Sequence, residues 1–310
     1  MNKKYLLPFI SVLVMLLITT VLISGCGEVA EIGTGIAQAG GIITSSQADS
    51  ITKSTKAIEK SQQELTSEQE YYVGRAVVAS VLQTYKPLDR PQQNNYLNLL
   101  GQSLAIFSNC PETFGGYHFL LLDSDEINAF AAPGGLILVT RGMLRCCNNE
   151  DELAAVLAHE ICHVELKHGL KAIKQGRMTE ALTILAAESA KQLGSEELAS
   201  LTENFEESVS DVVMTLTTSG YSRDQERDAD AAAAQLLRRA GYPEAAMITM
   251  LRRMDERISD SGGHGFAKTH PSASSRIDSL RTTITNTQFV PDAVRQERFT
   301  AAMQTILAWY

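Results

Sequence analysis

Apolar residues run almost unbroken from Leu6 to Ile23, behind a basic start at Lys3 and Lys4 and ahead of Ser24-Gly25-Cys26. A basic head, an apolar stretch and a small-residue exit are the parts of an export signal. The run exceeds the roughly 7–15 residues of an ordinary signal core, so an uncleaved membrane anchor is the rival reading. Residues 27 to 66 lose this character. They are rich in Gly, Ala, Ser, Thr and Gln, contain no aromatic, and read as a tether. Periodicity starts at Ser67-Glu68-Gln69-Glu70, a capping-box pattern that opens an apolar-periodic helix to Tyr85. Pro91 opens a second helix through Phe107, with Tyr96, Leu99, Leu100 and Leu104 on its apolar face. Tyr117 to Leu122 is a predicted strand, and Leu136 to Thr140 another, set between Gly134-Gly135 and Gly142. Beyond Gly142 only helical patterns follow, at about 150–168, 178–193, 195–218, 222–240, 243–259, 271–286 and 291–308, with breaks at Gly241-Tyr242-Pro243 and Ser261-Gly262-Gly263. Two or three strands amid many helices predict an α+β fold that is mostly helical.

Composition narrows the function classes. The 310 residues carry a formal charge of −9, which argues against nucleic acid or an anionic membrane surface as the main partner. Five cysteines are too few for a disulfide scaffold. Ile23-Ser24-Gly25-Cys26 decides between the two readings of the first segment, because it resembles a bacterial lipobox. That resemblance implies cleavage before Cys26 and acylation of Cys26. Two or three acyl chains on one residue hold a protein firmly at a membrane, which a single chain does not. The expected organisation is a signal peptide at 1–25, a lipidated Cys26 and tether at 26–66, and one domain at 67–310. Gly27, where an Asp would suggest inner-membrane retention, points to the outer membrane of a two-membrane bacterium, facing the periplasm. Removing residues 1–25 takes away Lys3 and Lys4 and no acid, so the charge deepens to −11.

Six histidines would be an ordinary count, but His159-Glu160-Ile161-Cys162-His163 fits HExxH. Residues four apart share a helix face, so both imidazoles can reach one zinc ion, with Glu160 about 100° round as general base. Such an ion brings the pKa of a bound water down to about 7. Leu153-Ala154-Ala155-Val156-Leu157-Ala158 precedes the motif and predicts a buried helix, where charge without a purpose is costly. A hydrolytic zinc usually takes a third protein ligand. His168 lies about 140° round the helix from His163, off the metal face, and reads as a structural residue or a support to a ligand. Glu226 and Asp230, at i and i+4 after a Ser222 cap, are the better donors: one for the metal, the other for a ligating imidazole.

Several motifs in order then resemble one family, the HtpX-like and CAAX-prenyl-protease-like zinc metallopeptidases, or family-48 metallopeptidases. They are Asp123-Ser124-Asp125-Glu126-Ile127-Asn128-Ala129-Phe130-Ala131, Pro133-Gly134-Gly135, Val139-Thr140-Arg141-Gly142, HExxH, Ser222-Arg223 with Glu226-Arg227-Asp228-Ala229-Asp230, and Thr269-His270-Pro271-Ser272 with Arg276-Ile277. The resemblance covers about residues 67 to 283. It implies a zincin-like domain whose small sheet lines the active-site cleft with an edge strand. It implies one zinc ion per chain on His159, His163 and Glu226, Glu160 as base, Asp230 orienting a ligand, and His270 and Arg276 near the metal. It also implies exported, often lipid-anchored enzymes of envelope protein quality control. The chain lacks the multi-span chamber of the prenyl-protease branch, so prenylated substrates are not expected.

The remaining features keep two readings each. Leu136, Ile137, Leu138 and Val139 are read as an edge strand that pairs with an extended substrate, or as a core strand. His270 is read as an oxyanion donor or as an extra zinc ligand that keeps the enzyme idle. Arg276 is placed within reach of a carboxylate or of the oxyanion. Tyr221 reads as packing, with an oxyanion role as the weaker choice. An oxidised pair is expected between Cys110 and Cys146 or Cys147, while Cys162 reads as packing. Residues 170–220 are a lid or a packed hairpin. The expected activity is hydrolysis of misfolded or unassembled envelope proteins. A non-catalytic chaperone using the same cleft, and a hydrolase of non-peptide acyl bonds, are the alternatives.

Overall fold

The computed structural model describes residues 65–173, 206–260, 270, 273–284 and 288–307. The export signal, Cys26, nearly all of the tether, the helix predicted at 178–193 and most of the expected lid lie outside the described residues. No helix among the described residues is long and apolar enough to cross a membrane.

Helix α1 (Ser67–Thr84) starts one residue earlier than its sequence pattern suggests. Thr66, not Ser67, is the cap, and it exchanges hydrogen bonds with Gln69 in a capping box. Val73, Val77 and Val81 form its buried stripe at a four-residue spacing. Leu65, assigned from sequence to the tether, is buried beside them. Helix α2 (Pro91–Ala105) takes Pro91 in its first turn and buries Leu97, Leu100 and Leu104. Leu99 faces outward with 61% of its surface exposed, so it does not belong to the predicted apolar face.

Three strands form one sheet in the order β1 (His118–Leu122), β3 (Leu136–Thr140), β2 (Ala129–Ala132). β3 pairs in parallel with β1 and antiparallel with β2. This overturns the edge-strand reading of Leu136, Ile137, Leu138 and Val139. β3 is the central strand, and both its edges are taken. Its unbroken apolar sequence follows from burial on both faces. Phe119, Leu121, Ala129, Ala131, Ile137 and Val139 face one helical layer, and Leu122, Phe130, Ala132 and Leu138 face the other. β1 and β2 are the edge strands, and sequence reasoning missed β2 because four small or apolar residues carry no alternation.

A tight turn, Pro133–Gly135, joins β2 to β3. It lies hard against α1. A Cβ on Gly74 would fall 1.9 Å from the Pro133 carbonyl oxygen. Gly134 has φ of +76°, and a Cβ there would fall 2.7 Å from the Cα of Tyr71. This close approach fixes α1 over the end of β2.

After β3 the short α3 (Arg141–Cys146) leads to α4 (Glu150–Glu165), capped by Asn149. Every residue of α4 from Glu150 to His163 is buried, so it is the central helix of the domain. The short α5 (His168–Lys171) follows. Residues 206–214 are helical and end in a single π-turn at Thr215–Ser219. Helix α6 (Arg223–Arg239) then packs along α4, and α7 (Ala246–Asp260), α8 (Ala273–Thr283) and α9 (Ala293–Leu307) complete the second layer.

No disulfide joins the expected cysteines. Cys110, Cys146, Cys147 and Cys162 are all free. Cys146 and Cys147 point into the core, where burial pushes the Cys146 thiol up to about 12, while Cys110 sits half-buried with its thiol toward the Glu112 carbonyl oxygen.

The N-terminus of α4 is held by an ionic hub. Glu150 accepts hydrogen bonds from the Tyr96 hydroxyl of α2 at 2.7 Å, from Tyr242 at 2.9 Å and from the guanidinium of Arg298 in α9. Burial by itself would raise the Glu150 carboxyl, but Arg298 and the two phenols more than reverse this and leave its pKa below the ordinary 4.5. The hub's stability is therefore fully present above about pH 4.5 and is lost as the pH falls through the lowered value. Arg298→Leu should cost about 1–3 kcal/mol. Chemical unfolding at pH 7 measures this cost, and the difference from the parent should shrink as the medium is acidified below pH 4.

Candidate metal centre

The site is built where α4 crosses α6. His159 and His163 are one turn apart on α4, and Glu226 and Asp230 are one turn apart on α6, so the two pairs face each other across the helix contact. Ser222 caps α6 through Gln225, as the sequence predicts, and this sets the register that aims Glu226 inward.

His163 Nε2 lies 3.0 Å from His159 Nε2 and 3.4 Å from Glu226 Oε1, and His159 Nε2 lies 3.6 Å from Glu226 Oε2. A tetrahedral zinc with bonds of about 2.0–2.1 Å sets its donors about 3.3–3.4 Å apart. The three side chains thus fit such an ion. His270 completes the group: the donor atoms of His159, His163, Glu226 and His270 all lie within 4.8 Å of one another, and all four residues are buried. His270 also lies 2.7 Å through Nδ1 from Glu226 Oε1.

Charge gives a second test of fit. Glu160, Glu226 and Asp230 are buried with one guanidinium, Arg276, among them. With all three carboxylates ionised, two negative charges are left over, which a divalent cation would balance. Arg276 comes from α8 and grips Asp230 with two hydrogen bonds, at 2.6 and 2.8 Å, while its third nitrogen lies 3.0 Å from Glu226 Oε2. Burial alone would raise both carboxyls. His270 and Arg276 hold Glu226 well below the usual range, and Arg276 with His159 brings Asp230 down to about 2. Asp230 Oδ1 in turn lies 3.1 Å from His159 Nδ1. Of the two places the sequence left open for Arg276, a carboxylate or the oxyanion, the structure shows it on the two carboxylates.

Glu160 behaves differently. Burial, aided by the Glu226 carboxylate, pushes its carboxyl up to about 8 against the opposing pull of Arg276. Its Oε1 has no hydrogen-bond partner among the described residues, and neither does the buried hydroxyl of Tyr221. The Tyr221 ring stacks on His163 at 4.1 Å. His168 Nδ1 lies 2.9 Å from His163 Nδ1 on the side away from the donor group. The strand residues Leu136 to Val139 are not part of this cluster, whereas β2 packs directly on α4.

Comparison with known proteins agrees with this geometry. The family profile described as Peptidase family M48 matches residues 91–284. The chain is 30% identical over 221 residues to the beta-barrel assembly-enhancing protease of Escherichia coli, covering 69% of this chain and 43% of that protein. It is 35% identical over 151 residues to the mitochondrial metalloendopeptidase OMA1 of Schizosaccharomyces pombe, covering 48% of this chain and 41% of that protein. It is 28% identical over 159 residues to the metalloprotease LoiP of Escherichia coli, covering 50% and 58%. The chain therefore spans about half the length of these curated relatives.

The two α6 carboxylates should differ in effect. Glu226→Gln should weaken metal binding more than Asp230→Asn, whose loss should be about 10–100-fold. Competition against a chromophoric chelator gives both affinities, and the reverse ranking would exchange the roles assigned to the two residues.

Proposed function

The chain belongs to peptidase family M48, and from that premise we propose that it is a zinc endopeptidase of the bacterial envelope, anchored by a lipidated Cys26 and facing the periplasm, that cleaves unfolded or unassembled proteins. One observation carries the reading: Glu160, whose Oε1 has no hydrogen-bond partner among the described residues, accompanies a buried donor group that fits a tetrahedral cation. His159, His163 and Glu226 would hold one zinc ion, which supplies a Lewis acid for water and for the scissile carbonyl.

The protein's own groups do the rest. Glu160 takes the proton of the attacking water and returns it to the leaving amine, a role suited to a carboxyl raised toward neutrality. The Tyr221 hydroxyl, kept protonated by burial and without a hydrogen-bond partner among the described residues, donates to the oxygen that gains charge. Arg276 and Asp230 hold Glu226 and His159 in place. β2, not β3, is the strand beside which an extended substrate would pair, because it is an edge strand that lies on α4, and the Thr215–Ser219 turn packed against it would have to give way. Pairing through backbone groups favours unfolded chain and reads few side chains. The relatives named for beta-barrel assembly support envelope proteins as the substrates.

His270 gives the site its resting form. A hydrolytic zinc leaves one position open, whereas four protein donors close a tetrahedron. With His270 as a fourth donor the site would have no place for the water, so His270 would have to swing away for activity. A chaperone without catalysis would need no base, so the Glu160 carboxyl speaks against that reading.

Two variants test the mechanism. Glu160→Gln should keep its metal and lose casein hydrolysis by at least about 10²–10⁴-fold; full activity in the purified variant sinks the assignment. His270→Ala should cleave casein faster than the parent, and slower cleavage would make His270 a participant in the reaction instead of its restraint.

A further inference from the structure

The two α4 histidines differ in what backs them. The inner nitrogen of His159 meets a carboxylate, Asp230 Oδ1, at 3.1 Å. The inner nitrogen of His163 meets another imidazole, His168 Nδ1, at 2.9 Å. Both His163 and His168 are buried.

This second contact fixes protons. His163 turns Nε2 toward His159 and Glu226, so Nε2 is the nitrogen that must offer a lone pair to a metal. Its ring proton then sits on Nδ1. Two nitrogens 2.9 Å apart share a single hydrogen, so His168 Nδ1 must accept it. His168 is thereby the neutral ring with its own proton on Nε2.

The chain bends to make this contact. A continuous α4 would place His168 about 140° round the helix from His163. Instead α4 stops at Glu165, and Lys167 takes the left-handed conformation with φ of 55°. A lysine pays about 1–2 kcal/mol for that conformation. The reversal starts α5 at His168 and brings its ring back under His163.

We propose that His168 is a positioning residue: a neutral acceptor that locks His163 in the one tautomer able to bind metal. A metal held there would meet one imidazole backed by a carboxylate and one backed by a neutral ring. This rests on the reading of His163 as a ligand.

The test measures zinc affinity of the full chain by chelator competition, together with melting without metal, for His168→Asn, His168→Gln and His168→Phe. Asn sets its amide oxygen where Nδ1 stands, and Gln reaches only the position of Nε2. Asn should bind zinc close to the parent, while Gln and Phe should lose about 10–100-fold, with Asn and Gln melting alike. Equal affinities for Asn and Gln, or parental affinity in Phe, overturn the proposal. Absence of zinc binding in the parent would instead overturn the reading of the site itself. If Phe does not fold, the Asn–Gln comparison decides alone.

Discussion

Everything in this domain answers to one constraint: three carboxylates are buried at the crossing of two helices with a single guanidinium for company. Burial of unpaired charge is among the costliest things a protein can do. The fold meets the cost in layers. Asp230 is fully engaged by Arg276 and His159, Glu226 is shared between Arg276 and the imidazoles, and Glu160 is left neutral in the absence of a cation by its raised pKa. With Glu160 neutral one negative charge is left over, and ionisation of Glu160 beside a bound cation would make it two. The geometry of the donors and the arithmetic of charge agree without either depending on the other.

The surrounding architecture exists to keep that crossing rigid. α4 is buried on every side and has no freedom to roll. Its N-terminus is tied to α2 and α9 through Glu150, and its flank carries β2, whose end is pinned by α1 at the Gly74 and Gly134 contacts. A donor displaced by a fraction of an ångström degrades a site of this kind, so rigid elements suit it better than loops.

Much of this was readable from residue order. HExxH, the Ser222 cap and the Glu226–Asp230 spacing are local patterns, and local patterns translate directly into helix faces. What depends on tertiary pairing did not translate. Leu136 to Val139 looked like an edge strand because sequence shows apolar content but not the number of hydrogen-bonded neighbours. β2 carried no periodic signal at all. The pairing of Cys110 with Cys146 or Cys147 is absent because the end of α3 turns Cys146, and Cys147 just after it, into the core. The partner of His168 could not be found by counting degrees, since the helix ends before reaching it, and Lys167 in the left-handed region leaves no mark where glycine or asparagine would have done so.

Arg276 has a further meaning in time. It stands 117 residues downstream of His159, which it approaches in the finished fold. At a synthesis rate of about 5–20 residues per second, His159 exists as chain about 6–23 s before Arg276, the guanidinium that meets both α6 carboxylates. Until Arg276 emerges, closing α6 onto α4 would bury bare negative charge, and the chain has every reason to stay open there. Closure of the α4–α6 crossing is thus tied to the arrival of α8, the last of its parts in chain order.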